Sequence, residues 1–187
     1  MTVKNNLTLI LDELRQHSEK IDSQQLEQYV NEIAAAKRIY VAGAGRSGLA
    51  IRAFAMRLMH LGKNVYMLGD VTTPHTQVGD LLLIGSGSGE TKSLVSAGEK
   101  AISCGMRVAL NTMDDSSTLA KLSNVMIVLP GASQKVLDDT KKVQSIQPMG
   151  SSYEQLSLLV YDAIILALME RLEQSNDEMF MRHANIE

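Results

Sequence analysis

Apolar residues at Leu7, Ile10, Leu11, Leu14 and Ile21 recur at helical spacing. After the polar break Asp22-Ser23 the same period returns at Leu26, Tyr29, Val30 and Ile33. The pattern predicts two helices over about 4–36, ahead of the first strand. From Arg38 the period changes: Ile39-Tyr40-Val41-Ala42 is a short apolar run closed by Gly43-Ala44-Gly45, the pattern of a strand buried on both faces. Similar runs stand at 65–68, 81–84, 108–110 and 125–129, with helical segments at about 49–61, 91–103 and 117–122 between most of them. Alternating strands and helices without hairpin signals predict an α/β fold, a three-layer α-β-α sandwich around a five-stranded parallel sheet. In the flavodoxin-like order 2-1-3-4-5, strands 1 and 3 are neighbours and ligands bind where the order reverses.

The segment 156–169 is almost entirely apolar, interrupted chiefly by Ser157, Tyr161 and Asp162. It is shorter than the roughly 20 apolar residues that a bilayer span requires, so no membrane contact is expected. A helix that is apolar all round needs cover on every side, and 51–61 reads the same way. Two covers are open: helices of a neighbouring subunit, giving a homo-oligomer with a shared core, or the two N-terminal helices of the same chain. The stretch 130–150, with Asp138, Asp139, Lys141 and Lys142, has no clear period, and long irregular segments within compact folds are commonly functional.

The 187 residues suit one domain, 1–187. Hydrophobic residues at 45% and charged residues at 21% exclude wholesale disorder. A net charge of −3 without a basic stripe argues against nucleic acid. A single cysteine, Cys104, excludes an intramolecular disulfide and a multi-cysteine metal site. The start Met1-Thr2-Val3-Lys4-Asn5-Asn6 lacks the apolar core of a signal peptide, which predicts a cytoplasmic protein. Eleven Met, no Trp and two Phe argue against a ligand held in an aromatic box.

The candidate chemistry lies in two glycine loops. Gly43-Ala44-Gly45-Arg46-Ser47-Gly48 follows a strand, opens a helix and satisfies G-x-G-x-x-G, with Asp70 at an acceptable distance for a dinucleotide ribose. Gly85-Ser86-Gly87-Ser88-Gly89-Glu90-Thr91 stands in the same context after the third strand. Its glycines let the backbone approach an anion, helix-terminal N–H groups point at it, and Ser86, Ser88 and Thr91 add hydroxyls. No Gly-Lys-Ser/Thr follows, so it is not a Walker loop. A single loop of this kind is often only a tight connection; two serine-rich loops facing one crevice predict a phosphosugar site.

These loops, with 55–62 (Ala55-Met56-Arg57-Leu58-Met59-His60-Leu61-Gly62), Gln147-Pro148-Met149-Gly150 and the ending His183-Ala184-Asn185-Ile186-Glu187, carry a resemblance over nearly the whole chain. The sequence resembles the sugar isomerase (SIS) domain family, and within it the hexuloisomerase branch. The resemblance implies a tetramer with interface sites, no metal or redox cofactor, and coupling to a hexulose-6-phosphate synthase. The implied reaction moves a carbonyl from C3 to C2 of a ketose 6-phosphate through an enediolate. Ser47 and the loop Ser86, Gly87, Ser88, Gly89, Glu90, Thr91 would hold substrate, with Glu154 as proton acceptor. At Asp70 the family pattern leads one to expect Glu.

Each of these residues also has a plainer reading. Ser151-Ser152-Tyr153-Glu154 has the form of a capping box, with Glu154 bonding back to the cap N–H; a helix N-terminus also favours an ionised carboxylate, so both roles are compatible. His183 is either solvated surface or, as the family ending implies, a proton shuttle reaching a site on a neighbouring subunit. Arg46 stabilises an enediolate or phosphate, or is a surface charge at a helix start. Glu90 would repel an anion if it faced inward, and otherwise contacts sugar hydroxyls or caps its helix. Cys104 and Met56, Met59, Met67, Met126 and Met169 read as packing, His60 as a satisfied interface residue, His17 as exposed and His75 as a loop residue. Two other functions remain open: a non-catalytic phosphosugar-binding module, whose DNA-binding counterparts need basic charge this chain lacks, and a dinucleotide oxidoreductase.

Overall fold

The computed structural model describes residues 2–132 and 144–186. Most of the irregular stretch anticipated at 130–150, including Asp138, Asp139, Lys141 and Lys142, lies outside the described residues, as does Glu187.

Two helices, α1 (Val3–Ser18) and α2 (Ser23–Ala35), open the chain as their apolar periods predict. Then β1 (Arg38–Gly43), α3 (Gly45–His60), β2 (Asn64–Met67), β3 (Leu81–Gly85), α4 (Lys92–Ser103), β4 (Arg107–Thr112), α5 (Thr118–Leu122) and β5 (Val125–Val128) alternate. The chain closes with α6 (Ser151–Arg171) and α7 (Asn176–Phe180). The sheet runs β2-β1-β3-β4-β5 with every pair parallel, the predicted order.

Side chains alternate between the two faces of each strand. Ile39, Val41, Leu81, Leu83, Ala109 and Ile127 pack under α1, α2, α3 and α6. Tyr40, Ala42, Leu82, Ile84, Val108 and Leu110 pack under α4 and α5. This two-sided burial is why the strands read as continuous apolar runs, and each fully buried aliphatic side chain stabilises the fold by about 1.5–3 kcal/mol.

The cover of α6 answers the question its sequence raised. It packs against α1, α2 and α3, burying Leu156, Val160, Tyr161, Ile164, Ile165 and Leu168. The N-terminal helices therefore supply much of the cover, yet Leu159 and Leu166 remain 52% and 65% exposed, as does Leu49 of α3 at 67%. At 21 residues α6 exceeds the apolar stretch 156–169, because its polar first turn continues the helix. By length and composition it could cross a bilayer, but in this fold it is a core element.

Three local expectations change. Gly150, not Ser151, is the N-cap of α6, and it makes no side-chain capping bond, so the capping box expected at 151–154 does not form. The capping box lies instead at Ser175 and Glu178, opening α7, a helix the periodicity did not predict. His17 is 4% exposed rather than solvated, because the start of α6 covers it; burial lowers its pKa, Lys20 adds to the effect and Glu13 opposes it.

Candidate active site

The register brings both glycine loops to one level. Gly43 at the end of β1 pairs with Gly85 at the end of β3, and Gly85 with Asn111 of β4. At the first loop Gly45 adopts φ +57°, which a side chain would strain. Gly43 and Gly48 meet so closely that a Cβ on Gly43 would lie 2.8 Å from the Gly48 Cα. The first turn of α3 is thus set directly against the strand end.

A pocket of about 370 Å³ opens there. Arg46 and Ser47 reach it from α3, and Ser86, Gly87, Ser88 and Thr91 from the turn between β3 and α4. Met149, Gly150, Tyr153 and Glu154 complete it from the start of α6, with Met113 and Leu94 adding apolar wall. These last six except Glu154 were not anticipated. Their contribution depends on elements far apart in sequence, although the pairing of Gln147-Pro148-Met149-Gly150 with Glu154 was a local signal.

The helix caps separate two classes. Thr2, Asp22, Ser117 and Ser175 cap α1, α2, α5 and α7 with side-chain oxygens. The N-caps of α3, α4 and α6, which are Ala44, Thr91 and Gly150, make no side-chain capping bond. All three of these residues line the pocket. First-turn N–H groups, with the positive ends of three helix dipoles, are therefore available to an anion there. The Ser86 hydroxyl belongs to the same design: Ser86 is 3% exposed, and its Oγ has no hydrogen-bond partner among the described residues. A buried hydroxyl without a partner is costly unless a ligand or water satisfies it.

Arg46 Nε lies 2.8 Å from Glu154 Oε2, the guanidinium largely exposed and the carboxylate largely buried. The carboxylate is not consumed by a helix cap. It faces the pocket, with one oxygen paired to a cation that a substrate oxyanion could share.

Other candidate residues stand elsewhere. Glu90 is exposed and accepts from the Thr118 N–H at 2.6 Å and from its hydroxyl at 3.0 Å, so it caps α5 and does not line the pocket. Turning outward spares the anion site a repelling charge. Gly89 is also absent from the lining; it sits at φ +63°, where a Cβ would fall 2.0 Å from Ser117 Oγ, and its role is to make the turn. Asp70 and His75 are exposed and outside the lining, which leaves a dinucleotide ribose without its acid.

His183 is not beside Glu154 within one chain. It lines a separate cavity of about 390 Å³ with Arg57, His60, Asp162 and Phe180, its ring stacked on His60 at 5.3 Å between centroids. Burial lowers the His60 pKa, and the nearby Arg57 and His183 reinforce the effect. Among the described residues no group of three His, Cys, Asp or Glu side chains is arranged to hold a metal ion.

Known proteins are similar to this chain in sequence and in fold. The chain is 44% identical over 178 residues to the 3-hexulose-6-phosphate isomerase of Bacillus subtilis strain 168, the match taking in 95% of each. It is 41% identical to the 3-hexulose-6-phosphate isomerase of Mycobacterium gastri, across 99% of this chain and 92% of that one. Among solved structures, a hypothetical protein of Methanococcus jannaschii superposes with a TM-score of 0.82 at 28% identity, covering 98% of this chain and 99% of that one. Its structure infers a molecular function of 3-hexulose-6-phosphate isomerase. The SIS domain model matches residues 32–165, from the end of α2 through most of α6, and the chain belongs to the SIS domain family.

Proposed function

We propose that this pocket isomerises D-arabino-hex-3-ulose 6-phosphate to D-fructose 6-phosphate. The observation that carries the reading is the convergence of three helix N-termini without side-chain caps on one pocket that also holds Glu154. The first feature suits a phosphate; the second suits a base at fixed distance from it.

In this reading the phosphate lies against Ser47 and the Ser86, Gly87, Ser88 and Thr91 turn. With the ketone at C3 and O6 esterified, no five- or six-membered hemiketal closes, so no ring-opening step is needed. Glu154 removes the proton from C2, giving a 2,3-enediolate, and a proton returns to C3. The hydroxyl proton moves from O2 to O3 in the same conversion, so the product is isomeric with the substrate. Arg46, already beside the carboxylate, stabilises negative charge on the enediolate oxygens. His183 performs the oxygen-to-oxygen transfer from a neighbouring subunit, since its own chain holds it in the other cavity. No metal or redox cofactor takes part.

The assembly is a homotetramer of single SIS domains, which would cover the exposed Leu49, Leu159 and Leu166. The enzyme works in the cytoplasm downstream of a hexulose-6-phosphate synthase, in formaldehyde fixation or detoxification through the ribulose monophosphate pathway.

One experiment tests activity and assembly together. Supplied with the synthase, formaldehyde and ribulose 5-phosphate, the folded protein is expected to form fructose 6-phosphate, followed by NMR. Light scattering on the same sample should give the mass of four subunits. Absence of fructose 6-phosphate, with phosphosugar still bound, would favour the non-catalytic binding module; a monomeric mass would remove His183 from the mechanism.

A further inference from the structure

The proposed base stands at the beginning of a helix, immediately after a turn that is held from an unexpected direction. The turn, residues 145–150, includes Met149 at φ +54°, a left-handed conformation that a non-glycine residue adopts only when its surroundings enforce it. Both Met149 and Gly150 line the pocket. The Ser151 N–H donates to the Pro148 carbonyl at 3.2 Å, and the Glu154 N–H to the Gly150 carbonyl at 3.0 Å, so the turn sets the first residues of α6.

The start of this turn is held from α1. Glu13 accepts a hydrogen bond from Ser145 Oγ at 2.5 Å through one carboxylate oxygen and from the Ile146 N–H at 3.2 Å through the other. Ser145 Oγ in turn accepts from the Gln147 N–H at 3.0 Å. One helical turn further along α1, His17 Nδ1 lies 3.4 Å from Oγ of Ser152, which is 1% exposed. Two side chains spaced i, i+4 on one face of α1 thus hold the turn on one side and the helix start on the other. Both stand outside residues 32–165, where the SIS domain model matches.

We infer that Glu13 is a positioning residue for Glu154, acting through the 145–150 turn, with His17 as the second point of the same clamp. The inference rests on the proposed role of Glu154 as base. Glu13 touches no reacting atom. It fixes where α6 begins, and therefore where the carboxylate of its fourth residue points. The phosphate contacts belong to α3 and the turn after β3, which the clamp does not touch.

The test uses the full chain. Alanine suits a helix interior, so Glu13→Ala leaves α1 intact. It is expected to lower kcat about 10- to 100-fold, the order that misplacement of a catalytic group by about 1 Å produces. KM should stay within about twofold, as expected when only an interaction of the transition state is lost. Glu13→Gln keeps one acceptor oxygen and should recover most of the activity. Added to Glu154→Gln, Glu13→Ala should lower kcat no further, because residues that act through one another are not additive. An additive loss, or a kcat equal to wild type, overturns the inference. Amide exchange decides independently of turnover: in Glu13→Ala the amides of 146–154 should exchange faster while those of β1, β3 and β4 do not. If the wild-type chain fails to turn over hexulose phosphate, the isomerase reading falls, and the exchange result alone upholds the clamp or, if unchanged, overturns it.

Discussion

Replacing Glu154 by Gln is expected to lower kcat by about 10² to 10⁴, the contribution of a positioned general base, while the protein stays folded. Gln keeps the shape and one acceptor oxygen, and the guanidinium of Arg46 is more than half exposed. Because the guanidinium left behind stays solvated, losing the pair costs on the order of 1 kcal/mol. The change therefore separates chemistry from stability. Steady-state kinetics and a thermal melt on the same preparation check it. A folded variant with near-normal turnover would reduce Glu154 to a structural partner of Arg46.

The second large effect has an unusual signature. Ser86→Ala removes a buried hydroxyl that has no partner among the described residues. Stability is expected to be unchanged or slightly raised, because an unsatisfied buried polar atom is lost with little volume. Substrate binding is expected to suffer. A hydrogen bond to a charged group is worth about 1.5–3 kcal/mol, or roughly 10- to 100-fold in affinity. Since the phosphate is remote from C2 and C3, the loss should fall mainly on KM. A lower melting temperature with unchanged KM would mean that Ser86 serves the fold rather than the ligand.

What the sequence discloses and what it withholds follow from the range of the interactions. The three central strands were legible because burial on both faces leaves continuous apolar runs such as Leu81-Leu82-Leu83-Ile84, and the shorter, less buried edge strands keep apolar runs of the same kind. The two glycine loops were legible because each closes such a run. Glu90 was not, because its partner Thr118 lies in another helix and nothing near Glu90 marks it. The start of α6 was misread for a related reason. Ser151-Ser152-Tyr153-Glu154 satisfies the local rule for a capping box, but a turn anchored to α1 places Gly150 at the cap and turns Glu154 to the pocket. At the helix ends that line the pocket no side chain makes the closing bond, and a local rule that assumes closure fails there. The box at Ser175 and Glu178 was equally visible in sequence and does form, at a helix end away from the glycine-loop pocket. His183 illustrates a further limit: the family ending drew attention to it, but only the fold shows that its own chain carries it away from Glu154.

One placement is central: a sugar phosphate with its phosphate against Ser47 and the turn after β3, and its C2–C3 bond beside Glu154. A crystal structure of the protein with fructose 6-phosphate tests this most directly. The phosphate should contact Ser86 and the backbone N–H groups at the start of α3 or α4, with C2 and C3 within reach of Glu154. Density for the sugar phosphate in the cavity of Arg57, His60 and His183 instead, with the glycine-loop pocket unengaged, would contradict it.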